Sequence, residues 1–298
     1  MDFKEITLKD KPLFDQYLKM QDPQVSELTF TNLFAWRIYY RFRYAEINGL
    51  LCIIAKPCGS EPYALMPIGR PDAGAFEAAY LELKDHFREK GWKLVFKKVA
   101  QNELAYFKDH IHSDQDIQLD RDNSDYIYQT ADLIQLKGKK YDGKRNHINK
   151  FRSKYDYSYV PLDCSLIGEC SRIMEAWCKE KNCSCQDGDY CERKANMELL
   201  NNFKYLGCKG ALISVNGTYE AFTAGEMLNG DTVVIHIEKA NTEIQGLYTL
   251  INQQFLENEW KDALYVNREQ DLGIEGLRKA KLSYNPVKMI DKYTVYPY

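Results

Sequence analysis

Apolar and polar positions alternate along this chain with two periods, and the switches between them mark its elements. In the first half, "DKPLFDQYLKM" and "TFTNLFAWRIYY" carry apolar residues at helical spacing. "LLCIIA" and "YALMPIG" are short apolar runs of strand length. "AGAFEAAYLELKDHFREKG" returns to the helical period, with Phe76, Tyr80, Leu83 and Phe87 on one stripe and Gly91 placed to stop it. A strand, "KLVFKKV", and a short helix, "QNELAYFKDH", follow.

The second half reads in the same order. Two helical stretches, "LIGECSRIMEAWCKEK" and "ERKANMELLNNFKYLG", precede "GALISVNGTYEAFTAGEML", where Asn216-Gly217 between two alternating runs predicts a hairpin. "TVVIHIEKA" is then a strand, and "IQGLYTLINQQFLENEW" is a helix with Leu247, Leu250, Ile251 and Phe255 on one face. "ALYVNRE" as a strand, "IEGLRKAKL" as a short helix and "KMIDKYTVYP" as a final strand complete the chain. This repetition predicts two domains, residues 1–135 and 136–298, each a mixed, mainly antiparallel sheet flanked by helices. The boundary is expected near "YQTADLIQLKGKKYDGK", where the apolar pattern stops.

Composition narrows the class. A chain of 298 residues suits two domains of about 150 residues better than one core. No stretch approaches the ~20 apolar residues of a membrane span, so a soluble protein without a transmembrane segment is expected. The first residues show no basic region followed by an apolar run, which predicts a cytoplasmic location. Net charge is −3, yet Lys137 to Tyr155 holds eight cations, Lys144 and Arg145 among them, against the single acid Asp142. Such a patch attracts phosphate, whether of tRNA, a nucleotide-linked donor or an anionic lipid headgroup. Cys178, Cys183, Cys185 and Cys191 follow a C-x4-C-x-C-x5-C spacing with no C-x-x-C knuckle. It predicts a thiol-rich loop and no metal site, with zinc as the alternative.

Chemistry concentrates late in the chain. His236 and Glu238 are two apart on a predicted strand and share a face, while Ile235 and Ile237 take the other. A carboxylate there can orient or deprotonate an attacking amine. The plainer alternative is a buried hydrogen-bonded pair, joined by Lys239. "NREQDLG" sets polar residues Asn267, Glu269 and Asp271 at the end of the next strand, a usual ligand position in α/β sheets. The turn "ANTEIQGLY", with Gln245 and Gly246, leads into a helix whose unpaired N–H groups suit a pyrophosphate or another anion.

The element order, together with "TFTNLFAWR", "KRNHINKF", "HIEKA" and "NREQDLGIEGLRKAKLSYNP", resembles a bacterial family grouped with the C-terminal domain of phosphatidylglycerol lysyltransferase and with the Fem peptidoglycan aminoacyltransferases. The resemblance implies an α/β (α+β) fold of two tandem GNAT-like acyltransferase domains, the second carrying the active site. It implies transfer of an aminoacyl or acyl group, from aminoacyl-tRNA or acyl-CoA, to a small-molecule amine or hydroxyl acceptor. Non-catalytic ligand binding on the same fold is the alternative, and lipid modification with transient contact to an anionic membrane a third reading. The strand "TVVIHIEKA" would splay from its neighbour to seat the donor. Glu238, Glu269, His236 and Tyr284 are then the catalytic candidates, Tyr284 as the acid for the leaving group. Lys239, Asn267, Asp271 and Lys281 are substrate-binding candidates, and Gln245, Gly246, Lys144 and Arg145 donor-binding ones. One departure stands out: coenzyme A sites of this fold carry Gln/Arg-x-x-Gly-x-Gly or Ala, whereas this turn has Gly246 alone and Tyr248 where the second small residue would fall.

Overall fold

A computed structural model describes residues 2–70, 72–111, 114–181 and 192–297. Along the chain the elements are β1 (Lys4–Glu5), α1 (Lys11–Gln21), α2 (Phe30–Ala35), α3 (Arg37–Tyr40), β2 (Arg43–Ile47), β3 (Leu50–Ala55), β4 (Tyr63–Ala64), α4 (Ala73–Glu89), β5 (Phe96–Ala100), α5 (Leu104–His110), β6 (Gln115–Leu119) and β7 (Asp125–Gln129). They continue with α6 (Thr130–Gln135), α7 (Asp142–Lys154), β8 (Tyr157–Pro161), α8 (Ile167–Glu180), α9 (Glu192–Leu206), β9 (Lys209–Val215), β10 (Thr218–Met227), β11 (Thr232–Ala240), α10 (Leu247–Glu259), β12 (Tyr265–Asn267), α11 (Glu275–Leu282), β13 (Lys288–Ile290) and β14 (Lys292–Pro297).

The chain divides into two units, the first comprising Met1–Asp125, Gln270–Ile274 and Met289–Tyr298, the second Tyr126–Glu269 and Glu275–Lys288. In the first, the sheet runs β1-β2-β3-β4-β5-β14-β6, antiparallel throughout except where β4 meets β5. The stripe predicted on α4 is its core: Phe76, Leu83 and Phe87 are fully buried with Phe96 and Phe107. Each such ring contributes roughly 2–3 kcal/mol through burial. The helix begins where Asp72 accepts a hydrogen bond from the Ala75 N–H at 2.8 Å.

In the second unit the sheet runs β7-β12-β11-β10-β9-β8, with β13 added beside β7. β11 and β12 pair parallel, while β8 to β11 and β12 to β7 pair antiparallel. Leu247, Leu250 and Ile251 of α10 and Ile148 and Phe151 of α7 pack over Ile213 and Val215 of β9. The Asn216-Gly217 hairpin and β11 stand where the sequence places them.

Several expectations change. The division falls at Asp125/Tyr126 in place of 135/136, because the polar stretch after Gln129 forms α6 and β7 joins the second sheet. The final strand expected in the second domain breaks at Asp291, and its longer part, β14, inserts between β5 and β6 of the first unit. Lys292 supplies the reason: its fully buried ammonium pairs with Asp125 at 2.7 Å and with Glu27, and a buried cation is tolerable only with such partners. "YALMPIG" yields just Tyr63–Ala64 and a bridge from Ile68 to Leu51. The helix over "TFTNLFAWRIYY" breaks at Trp36 into α2 and α3. Among the described residues no helix is long and apolar enough to cross a membrane.

Candidate active site

The centre of the second unit is the parting of β11 from β12. The parallel ladder joins Thr232 to Tyr265, Val233 to Val266 and Val234 to Asn267, then ends. Beyond Asn267 the chain stays with β7: the Arg268 N–H donates to the Tyr126 carbonyl (3.0 Å), and the Tyr126 N–H donates to the Glu269 carbonyl (3.2 Å). β11 meanwhile stays paired with β10 as far as Ala240. A wedge therefore opens between two strands that are each held on their outer side.

A bulge accompanies the parting. Ala224 faces Ile237 and Gly225 faces Ile235, so His236 is the extra residue of β11. Gly225 is required for that close approach, since a Cβ there would lie 2.4 Å from the Val234 carbonyl oxygen.

Side chains cross the wedge where backbone bonds do not. His236 Nδ1 lies 3.0 Å from Glu269 Oε1, and Nε2 lies 2.9 Å from Glu226 Oε1 on β10. Burial pulls the His236 pKa down, but the hydrogen bonds and charges of the two carboxylates outweigh it and raise it to about 9. The ring is thus an imidazolium at neutral pH, donating from both nitrogens. Glu269 reaches it from a left-handed backbone conformation (φ 57°), a strained position for a residue with a side chain. Two residues along β11, Glu238 Oε1 accepts from Arg268 Nη2 at 2.7 Å and Oε2 accepts from Asn252 Nδ2 of α10 at 2.9 Å. The expected common face of His236 and Glu238 is observed in their exposure, with Ile235 and Ile237 buried, but the two do not pair with one another.

Arg268 lies against an aromatic wall, its guanidinium carbon 4.6 Å from the Tyr284 ring centre and 5.9 Å from that of Tyr128. Its Nη1 is buried and has no hydrogen-bond partner among the described residues. Lys144, from the basic helix α7, sits 3.7 Å over the same Tyr284 ring and donates to Ser283 Oγ at 2.8 Å. Burial, and then the neighbouring Arg268 charge, lower the Lys144 pKa to about 8. Two cations on one phenol ring, beside a glutamate, are the electrostatic signature of the site. The Tyr284 hydroxyl donates to Thr249 Oγ1 at 3.3 Å, and burial raises its pKa, so it stays protonated.

Other candidates have structural occupations. The Lys281 ammonium donates to the carbonyls of Arg268 and Glu269, which steadies the departing strand end. Asn267 is buried, and its Oδ1 accepts from the Glu269 N–H at 2.7 Å, fixing the turn that aims Glu269. Lys239 points away from His236, pairing with Glu192 at 2.8 Å over the Trp177 ring at 3.4 Å. Asp271 belongs to the first unit, where it is fully buried, pairs with Arg121 at 3.3 Å and accepts from the Gly273 N–H. Arg145 donates to the carbonyls of Leu136 and Gly138 and to Asp142, so it braces the turn before α7. Gln245 accepts from Lys150 at 3.1 Å. Gly246 has φ 92°, and a Cβ there would lie 2.5 Å from the His147 carbonyl oxygen; packing of α7 against the start of α10 accounts for this glycine without a ligand. Of the predicted residues the wedge therefore gathers His236, Glu238, Glu269, Tyr284 and Lys144. Glu226, Arg268 and Asn252 join them unanticipated, and only Arg268, inside the polar run "NREQDLG", had a local signal. Among the described residues no group of His, Cys, Asp or Glu is arranged to hold a metal ion, and Cys183, Cys185 and Cys191 lie outside those residues.

The family described as phosphatidylglycerol lysyltransferase, C-terminal, matches residues 19–296. A conserved protein of unknown function from Bacteroides thetaiotaomicron has a solved structure that superposes with a TM-score of 0.92, at 38% identity over 100% of both chains. The structure of L-PGS from Bacillus licheniformis is similar at TM-score 0.68, with 17% identity over 97% of this chain and 92% of that one. FemX follows at TM-score 0.62, 9% identity, and coverage of 100% and 98%. At those identities the last two show the fold alone, a tandem GNAT and Fem-like one. An uncharacterized protein of Mycoplasmoides gallisepticum is 23% identical over 193 residues, 62% of this chain, and the match spans 60% of that protein's length.

Proposed function

The chain belongs to the phosphatidylglycerol lysyltransferase C-terminal family, and from that premise we propose that its second unit transfers an aminoacyl or acyl group to an amine or hydroxyl acceptor. The observation that carries this reading is the wedge: β11 loses β12 after Val234, and ionisable side chains line the space that the ladder vacates. A carbonyl placed against β11 between Val234 and Glu238 would present its oxygen to backbone N–H groups, the requirement for stabilising a tetrahedral oxyanion.

Roles follow from charge state. His236, doubly protonated, holds Glu226 and Glu269 in place and accepts no proton at neutral pH. Glu269 is the most exposed of the three carboxylates, at 20% against 12% for Glu226 and 11% for Glu238, and is the group to take the proton from the attacking amine. Glu238 orients Arg268, whose unpartnered Nη1 suits an oxygen of the donor. Lys144, with both protonation states populated near pH 8, suits the return of a proton to the leaving oxygen, in preference to the more deeply buried Tyr284 hydroxyl. Aminoacyl-tRNA is the favoured donor over acyl-CoA, because packing already uses Gly246, the sole glycine of the turn.

A second reading, a ligand-binding module without turnover, draws support from the fact that His236 and Glu238 already have protein partners. One experiment separates the two. Purified protein is incubated with labelled aminoacyl-tRNA or acetyl-CoA and with amine, hydroxyl or phosphatidylglycerol-vesicle acceptors. Transfer to one acceptor that falls at least ~100-fold in Glu269→Gln supports catalysis. A donor that raises the melting temperature without any transfer supports the module, and neither effect with any donor removes both readings.

A further inference from the structure

A separate cavity of about 730 Å³ lies in the first unit, between the N-terminal segment, α3, the start of β2, the end of β3 and the end of α4. Five cations line it: Arg37, Arg41, Arg43, Lys56 and Lys90. Among the described residues Asp2 and Glu5 are the carboxylates in its lining, and Glu5 is taken up by Arg43 at 3.0 Å. The excess is local, since the whole chain carries a net charge of −3. Surface lysines and arginines usually just face water on a convex surface. These line a hollow whose floor is apolar, formed by Phe3, Phe42 and Ile54, all buried. Like charges gathered around a concave, poorly polarisable floor focus a positive potential into it.

The cations are also held in place. The Arg37 guanidinium carbon lies 3.8 Å from the Phe34 ring centre, and an N–H of the group donates to the Phe34 carbonyl. Lys56 sits 4.7 Å over the ring of Trp92. Arg41 closes α3 in a left-handed conformation (φ 49°), a backbone state that a residue with a side chain adopts at a cost. His86, its ring tilted against that of Phe3 at 4.7 Å, is kept below its ordinary pKa by burial and then by Lys90, consistent with the same positive field.

We propose that this hollow binds a small phosphate-bearing molecule of nucleotide size, its phosphates against the arginines and Lys90 and its body on the apolar floor. The volume falls within the ~300–1,000 Å³ of small-ligand pockets. Guanidinium groups favour phosphate over neutral ligands through paired, charge-assisted N–H···O bonds. The proposal concerns the first unit alone and does not depend on the acyl-transfer reading of the second.

The test is isothermal titration of the full chain with ADP, inorganic pyrophosphate and adenosine, alongside the intrinsic fluorescence of Trp92, read by difference against Trp92→Phe. Saturable binding of ADP, weaker binding of pyrophosphate and at least ~tenfold weaker binding of adenosine are expected, with affinity falling as salt rises. Arg41→Ala combined with Lys90→Ala should weaken ADP at least ~tenfold. Both side chains are exposed, so the fold should survive, and a thermal melt checks that. Glu269→Gln, in the second unit, should leave ADP binding unchanged while removing any transfer activity. The proposal fails if neither ADP nor pyrophosphate binds at millimolar concentration, if adenosine binds as well as ADP, or if the double variant binds ADP like the parent.

Discussion

His236 Nδ1 and Glu269 Oε1 meet at 3.0 Å across the gap between two strands that have stopped sharing backbone hydrogen bonds. The contact is short where the ladder is absent, so side-chain electrostatics take over the joining of β11 to the β12 end. Glu226 completes the arrangement at 2.9 Å on the other ring nitrogen. Two carboxylates around one imidazole hold its proton to about pH 9. Three charges are therefore coupled to the integrity of the sheet at this point.

That coupling sets a pH dependence. The folded-state pKa of His236 lies above its unfolded value near 6.5, so the stabilisation is complete below pH 6.5 and is lost as pH rises through 9. The shift corresponds to roughly 3 kcal/mol. Urea titrations at pH 6.5, 8 and 9.5 should show the parent losing stability over that range while His236→Gln, which has no charge to lose, changes less. Lys144 opposes the trend above pH 8, because its lowered pKa penalises the charged form, and that penalty lifts as the amine deprotonates. The comparison at pH 6.5 and 8 is therefore the decisive one. Equal slopes for the two proteins would contradict the imidazolium assignment.

The bulge can be tested without touching a charge. Gly225→Ala puts a methyl where the nearest atom, the Val234 carbonyl oxygen, is 2.4 Å away, and that atom is backbone and cannot swing aside. β10 and β11 must then shift, at a cost of about 1–3 kcal/mol. A lower melting temperature together with a His236 pKa nearer 6.5 by NMR is expected. A variant as stable as the parent, with an unchanged His236 titration, would mean the strands have slack that the geometry denies.

The sequence made the local parts of this site legible and left the long-range ones hidden. β11 was readable because apolar residues dominate it and polar ones interrupt it at His236 and Glu238. α10 was readable from its 3.6-residue stripe. Arg268 and Asn252 were not, because nothing in "NREQ" or "LINQQ" says that they meet Glu238 from 30 and 14 residues away. Glu226 shares this property: its role exists only because the bulge points His236 at it. The placement of β14 depends on Lys292 finding Glu27 and Asp125, 265 and 167 residues distant, and no periodicity encodes that. Gly246 illustrates the reverse error, where a residue type suited to phosphate binding serves the contact between two helices.

Glu103, in the first unit, gives a second pH signature of the same sense in a more acidic window. Burial raises its pKa to about 7, despite hydrogen bonds received from the Ala100 N–H at 2.9 Å and from Gln21 at 2.5 Å. For an acid whose folded pKa is raised, the charged form is the one the fold disfavours. Stability present below the ordinary carboxyl pKa of 4.5 is lost as pH rises toward 7, and above 7 the loss is complete. Glu103→Gln keeps an acceptor for the Ala100 N–H and removes the charge. It should match the parent at pH 4.5 and exceed it by roughly 2–3 kcal/mol at pH 8 in chemical denaturation. A variant less stable than the parent at pH 8 would show that the carboxylate's two hydrogen bonds outweigh its burial.

The Glu238–Arg268 pair separates what holds the wedge from what the wedge does. The Arg268 side chain is largely withdrawn from solvent, 14% exposed, and Glu238 is the carboxylate that neutralises its positive charge at 2.7 Å. Removing the Glu238 charge alone strands that cation, so Glu238→Gln should cost about 3–5 kcal/mol. Replacing both, Glu238→Gln with Arg268→Met, removes the charge along with its partner and should recover most of the loss, because an ion pair taken out of water contributes little net stability. A double-mutant cycle by chemical denaturation would read the coupling as the difference between the sum of the single losses and the double loss. If Glu238 and Arg268 serve only the sheet, the recovered double variant should retain whatever donor binding and transfer the parent has. If they seat the donor, stability returns and function does not, since Met offers no N–H in the position of Nη1. That divergence between a restored melting curve and an abolished ligand response is the outcome expected here.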